Sequence, residues 1–186
     1  MGSTPDTTTY TYDTEFIENG KTIDLISIGI VSDTGREYYA VSSDMPIRGI
    51  RKHPWLMDNV VPRLPKPAGD WNNHMPRRWL FDYYNPAVKR RKRIAAEVRE
   101  FLLAEATPEL WADYSAYDHV VLAQLWGSMI KLPEGLPMWT HELQQALEKA
   151  PPGFVPPEQT EGVHNALEDA RHNMRVLEAL RAAKES

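Results

Sequence analysis

Three small groups of residues in this chain could do chemistry, and all three are built on carboxylates. Asp13 and Glu15 stand two apart within the stretch 10–16, whose aromatic and β-branched residues read as a strand. Side chains alternate faces along a strand, so both carboxylates emerge on one side, about 7 Å apart. Acids that close raise each other's pKa unless a cation lies between them, and hard oxygen donors suit Mg²⁺ or Mn²⁺. A solvated strand face would carry the same pair. Asp118 follows the short apolar run 110–114 and opens the helical pattern 117–126. A strand-to-helix junction lies at the carboxyl edge of a sheet, where α/β sites gather, although a helix N-terminus favours an acid in any case. The third group is His164-Asn165-Ala166-Leu167-Glu168-Asp169. Asn165 with Glu168 three later resembles a capping box, leaving His164 just outside the helix. Asp169 then shares a face with Ala166, Ala170 and Asn173, a narrow stripe on which a carboxylate wants a partner or a metal. The plainer alternative is an exposed histidine beside a surface acid.

The elements that must hold these groups follow from periodicity. Residues 10–16, 23–31 and 37–42 read as three strands joined by turns at Gly20 and Asp33-Thr34-Gly35-Arg36, an antiparallel meander. From 45 to 86 the pattern dissolves into a proline-rich irregular region with a short helix at 53–61. A loop this long is usually functional or an interface. A helix is expected over 88–104, a strand at 110–114, a helix at 117–126, a strand at 137–140, a helix at 142–149 and a last helix over 165–183. Antiparallel strands followed by strand–helix alternation predict a mixed α/β sheet flanked by helices.

The chain has 186 residues, enough for one domain, read here as 10–186 behind a polar segment 1–9 that suits a loose leader or a cloning remnant. No apolar run reaches the ~20 residues of a membrane span. Cysteine is absent, which excludes disulfides and thiolate zinc sites and fits a cytoplasmic setting. Lysine and arginine total 21 against 26 acids, a formal charge of −5. That sign argues against a protein that holds nucleic acid by bulk electrostatics, so such a role would rest on local basic patches and metal ions.

Taken in order, the three groups resemble the DEDDh exonuclease superfamily. Asp13-x-Glu15 matches its first motif, Tyr117-Asp118 ahead of an apolar helix its second, and His164-x-Ala166-x-x-Asp169 its third. Within it, Tyr12-Asp13-Thr14-Glu15-Phe16 and Leu25-Ile26-Ser27-Ile28-Gly29-Ile30-Val31 are similar to the polyadenylate-specific exoribonuclease AS group of actinobacteria. The second motif departs from its usual form at Asp113, where relatives carry asparagine. The resemblance implies a ribonuclease-H-like fold and a 3′-5′ exoribonuclease that releases nucleoside 5′-monophosphates from RNA with a free 3′ end. It implies two Mg²⁺ ions, with Mn²⁺ a substitute: Asp13, Glu15 and Asp169 hold one, Asp13 bridges to the second, and Asp118 completes the site. It implies His164 as general base, Glu15 and Phe16 as contacts to the terminal nucleotide, and a homodimer in which region 45–86 could make contact.

The same motifs leave a DNA exonuclease of proofreading type open, since nothing in them separates ribose from deoxyribose. A non-catalytic scaffold of the same fold is weakened by the intact set Asp13, Glu15, Asp118, His164 and Asp169, and a ribonuclease-H-type endonuclease by the His-x-Ala-x-x-Asp segment. The basic run Lys89-Arg90-Arg91-Lys92-Arg93 and Arg77-Arg78 among tryptophans offer attraction for RNA, or else a solvated helix face and a buried loop.

Overall fold

The computed structural model describes residues 7–69 and 79–185. In chain order, strands β1 (Thr7–Glu18), β2 (Ile23–Ser32) and β3 (Glu37–Ser42) come first. Short helices α1 (Ile47–Ile50) and α2 (Pro54–Asn59) follow, then β4 (Val88–Lys89) and α3 (Arg91–Leu102). The second half holds β5 (Thr107–Ala112), α4 (Ser115–Ala123), β6 (His141–Glu142), α5 (Leu143–Leu147) and α6 (Ala166–Glu185). The strands form one sheet in the order β4-β3-β2-β1-β5-β6. β1, β2 and β3 pair antiparallel, and the β1–β5, β5–β6 and β3–β4 pairs are parallel. This is the mixed, helix-flanked α/β sheet expected, and it is consistent with a ribonuclease-H-like fold.

Several boundaries differ for physical reasons. β1 begins at Thr7, because Thr7–Thr9 pair with Thr107–Glu109; those three residues are sheet, not leader, and residues 1–6 lie outside the described residues. The helix expected from 88 starts at Arg91, since Val88 and Lys89 pair with Val41 and Ser42. The strand expected at 137–140 forms instead at His141–Glu142, beside Trp111 and Ala112. The described part of region 45–86 is less irregular than its sequence suggests. It folds as α1, α2 and a 3₁₀ turn over Val61–Arg63, and it buries Ile50, Leu56, Met57 and Phe81 against Ile26 and Val41. The aromatic-basic stretch 71–78 lies outside the described residues.

The two faces of the sheet do different work. Tyr10, Tyr12, Ile28 and Ile30 point to one face, where Ile94, Val98 and Leu102 of α3 and Leu122 of α4 close a core. Each such fully buried side chain contributes roughly 1.5–3 kcal/mol. Thr11 and Val31, one residue on, point to the other face, toward Ala170 and Met174 of α6. Asp13 and Glu15 are in phase with Thr11, so they belong to the α6 face. No helix among the described residues is long and apolar enough to cross a membrane.

Candidate active site

β1 and β5 pair only as far as Thr11 and Trp111. Beyond that point the strands part, and a cleft of about 380 Å³ opens at the carboxyl edge. Asp118, on the first turn of α4, takes the place of a strand partner. Its Oδ1 accepts the Thr14 amide at 2.8 Å and the Thr14 hydroxyl at 2.6 Å. The two bonds fix Asp118 against β1 between Asp13 and Glu15.

The third wall is the start of α6. Gly29 pairs with Asp13 across the sheet, and a Cβ on Gly29 would lie 2.3 Å from the Ala166 carbonyl oxygen. No side chain fits there, so the helix start rests directly on β2. Asn165 caps α6, its Oδ1 accepting the amides of Leu167 at 3.1 Å and Glu168 at 3.3 Å, a cap worth ~1 kcal/mol. The expected capping box is only half formed: Glu168 turns outward to Arg171. His164 turns the chain into the helix with φ 65°, and its amide donates to Asp169 Oδ2 at 3.0 Å. Gln159 Nε2 donates to Asp169 Oδ1 at 2.6 Å.

All six residues anticipated as the site line this one cleft: Asp13, Glu15, Phe16, Asp118, His164 and Asp169. The tightest set is Glu15, His164 and Asp169, with ligand-capable atoms within 4.8 Å of one another and His164 Nδ1 3.8 Å from Glu15 Oε1. The histidine therefore stands beside the acids, within reach of the same ion they could hold. Phe16 stacks on Tyr117 with ring centroids 5.8 Å apart and planes 9° apart, and Trp55 of α2 meets the His164 ring edge-on at 4.8 Å.

Burial and mutual repulsion set the electrostatics. Burial, then Asp169 and Asp118, pushes the Glu15 carboxyl up to about 8. Burial also raises Asp118, to about 6, against the pull of the Thr14 hydrogen bonds. Asp13 stands well above the usual carboxylate range, first from burial and then from Asp118, Glu15 and Asp169. Asp169 is raised by burial and relieved by Gln159. Asp113, the departure from the second motif, also lines the cleft, with Oδ1 held by Gln144 Nε2 at 2.8 Å.

The turn between β5 and α4 is held from outside. Tyr114, 72% exposed on the cleft rim, has φ 51°, and α4 has no side-chain cap of its own. Glu142 supplies it. Its Oε1 accepts the Tyr114 amide and the Gln144 amide, each at 3.0 Å, and its Oε2 accepts the Ser115 amide at 2.7 Å and hydroxyl at 2.8 Å. One carboxylate thus caps α4 and α5 together. Among the described residues, the two non-glycine residues with positive φ, Tyr114 and His164, both line the cleft. Such backbone costs of order 1–3 kcal/mol each and gathers at functional sites.

Thr14, Gln159, Trp55 and Glu142 escaped sequence reasoning. Gln159 sits in a proline-rich stretch without periodicity, and Glu142 reads as any helix-start acid. The basic run does not face the cleft. Lys89 and Arg93 pair with Glu97, and Arg91 with Asp24, on the α3 face of the sheet.

A divalent cation fits this donor set. Asp13, Glu15, Asp118 and Asp169 converge from three separate segments with Asp113 a fifth carboxylate on the lining, burial opposes their charge, and no lysine or arginine is among the described residues lining the cleft. Residues 8–181 match the family described as the 3′-5′ exoribonuclease Rv2179c-like domain. The chain is 44% identical over 169 residues, 89% of each chain, to the 3′-5′ exoribonuclease Rv2179c of Mycobacterium tuberculosis strain ATCC 25618 / H37Rv. The match to the 3′-5′ exoribonuclease MT2234.1 of strain CDC 1551 / Oshkosh has the same identity and coverage.

Proposed function

We propose that this chain, which belongs to the 3′-5′ exoribonuclease Rv2179c-like family, shortens RNA one nucleotide at a time from its 3′ end through a DEDDh-type centre. The observation that carries the reading is the convergence of Asp13, Glu15, Asp118 and Asp169 on one cleft with His164 at its edge. These carboxylates would hold two divalent ions, Mg²⁺ or Mn²⁺. Such ions, when bound, lower the pKa of water and offset charge on a leaving oxygen.

The protein's own residues do the rest. Water attacks the last phosphodiester, the bond from phosphorus to the 3′-oxygen breaks, and a nucleoside 5′-monophosphate leaves. His164 takes the water's proton on its imidazole. Its ring is aimed by the left-handed backbone, by the Asp169 bond to its amide and by the edge contact to Trp55. Phe16, backed by Tyr117, gives the terminal nucleoside a flat wall. Glu15 receives the free 3′-hydroxyl. The motif segments Tyr12–Phe16 and Leu25–Val31 support the polyadenylate-specific AS group as the subfamily.

The test is timed digestion of end-labelled substrates with Mg²⁺ or Mn²⁺. RNA ending in a 3′-hydroxyl should shorten stepwise, and polyadenylate should shorten faster than mixed-sequence RNA or matched DNA. A 3′-phosphorylated copy should persist, because its charge would be brought against the carboxylates. Circular RNA should survive for want of an end. Cleavage of the circle would sink the exonuclease reading.

A further inference from the structure

The catalytic cleft has room for the end of a strand, and the chain's net charge opposes holding the remainder. Lys89, Arg91 and Arg93 of the basic run are ion-paired on the other face of the sheet, away from the cleft. A different surface has the needed chemistry. A groove of about 570 Å³ lies on the far side of the β5–α4 turn from the catalytic cleft. Lys149, after α5, and Lys184, near the end of α6, stand exposed on its lining. Trp139 beside them is 61% exposed. Its ring meets His141 edge-on at 4.6 Å, and His141 stacks on Trp111 at 4.3 Å, with planes 16° apart. The aromatic group is therefore braced from behind and presents one free indole.

The two lysines outnumber the one acid in this lining, Glu142, and that acid is turned to backbone. Glu142 spends both carboxylate oxygens on the amides that open α4 and α5. The groove also adjoins the catalytic cleft. Asp113 and Tyr114 line the cleft, and the next two residues, Ser115 and Ala116, line the groove. Tyr114 stands on the ridge between them. The furrow on the opposite side of α4, beside Tyr117, carries Lys21 with Glu18 and offers no net attraction.

We propose that the Trp139–Lys149–Lys184 groove is a second RNA subsite, which holds the single strand upstream of the nucleotide being removed. An exposed indole stacks on any base, and two lysines with no ion pair to an acid among the described residues meet successive phosphates, the combination by which single strands are held without sequence readout. The inference rests on the exoribonuclease reading of the cleft. It adds that affinity for long RNA resides in a surface separate from the reacting atoms.

Two variants test it, Trp139→Ala and the pair Lys149→Glu with Lys184→Glu, each assayed on a dinucleotide and on RNA of about ten nucleotides. KM for the longer RNA should rise about tenfold or more in either variant, with kcat little changed. The lysine pair should also lower the slope of log affinity against log salt by about 1.4, two phosphates at roughly 0.7 each. Dinucleotide turnover should stay near wild type, because nothing in the groove touches the terminal nucleotide. Unchanged KM for the longer RNA overturns the proposal, as does an equal loss on both substrates, which would mark the groove as structural. A change in sedimentation with RNA kinetics intact would make it a contact between copies of the chain and would also overturn it. If the wild-type protein degrades neither substrate, the exonuclease reading itself is what has failed.

Discussion

Glu97 and Glu109 are carboxylates of the same type as Glu15, and the fold treats them in the opposite way. Glu97 receives Lys89, Arg93 and the Tyr38 hydroxyl, and Glu109 receives Arg181, His141 and the Thr9 hydroxyl. Burial works against both charges, yet hydrogen bonds and cations outweigh it, and both carboxyls fall below the usual range. Glu15 meets a histidine and other acids, and its carboxyl rises to about 8. The first arrangement is complete within the chain. The second is left without a cation among the described residues, and on the proposed function that incompleteness marks Glu15 as a working carboxylate more clearly than its residue type does.

The contrast is tested most severely by neutralisation. Asp13→Asn, Glu15→Gln, Asp118→Asn and Asp169→Asn should each lower turnover by about 10³-fold, the several kcal/mol that bound ions contribute. Circular dichroism should still show a folded protein, and metal-free Glu15→Gln should melt no lower than wild type. Near-wild-type turnover in any of the four would remove that residue from the site. His164→Ala should cost roughly 10²-fold, the scale of general acid–base catalysis. Calorimetry on that variant decides the histidine's role: intact Mg²⁺ affinity keeps it as the base, and lost affinity makes it a ligand.

The pH dependence of stability should carry opposite signs in the two regions. Glu15 titrates near 4.5 when unfolded and about 8 when folded, so in that window the folded protein binds the extra proton. Stability of the metal-free protein should then fall as pH rises from about 5 to 8, and Mg²⁺ should restore it. Glu97 and Glu109 have lowered carboxyls, so their contribution is present above the unfolded pKa and is lost as pH falls through the folded one. Thermal melts across pH, with and without Mg²⁺, check both signs; a metal-free melting point that rose between pH 5 and 8 would contradict the first. The smallest effect belongs to Glu109→Gln. It should leave turnover within about twofold and cost about 1 kcal/mol in a denaturant titration, as partly exposed ion pairs do.

Much of this was legible in the chain. The alternation that placed Asp13 and Glu15 on one face held because Thr11 and Asp13 keep phase through a well-paired β1–β2 ladder. Asn165 announced the start of α6 because its side chain competes for helix amides wherever a helix begins. The errors fell where tertiary pairing overrode local pattern. Thr7–Thr9 are polar and small, but β5 supplies them with a partner. The strand near 140 was displaced to His141 because Trp111, remote in sequence, sets its register. Gln159 and Trp55 could not be found by period or spacing. Trp55 reaches the cleft on a short helix anchored by the buried Leu56 and Met57, and Gln159 from a stretch without regular secondary structure.

The double cap at Glu142 has a consequence for how the molecule opens. Two helix ends that share one acceptor cannot fray independently, since releasing α5 strips α4 of the same carboxylate. The amides of Tyr114, Ser115 and Gln144 should therefore exchange together in a hydrogen-exchange experiment, although Gln144 lies some thirty positions along the chain from Tyr114. The ridge between cleft and groove is accordingly a corner that one carboxylate ties to both helices.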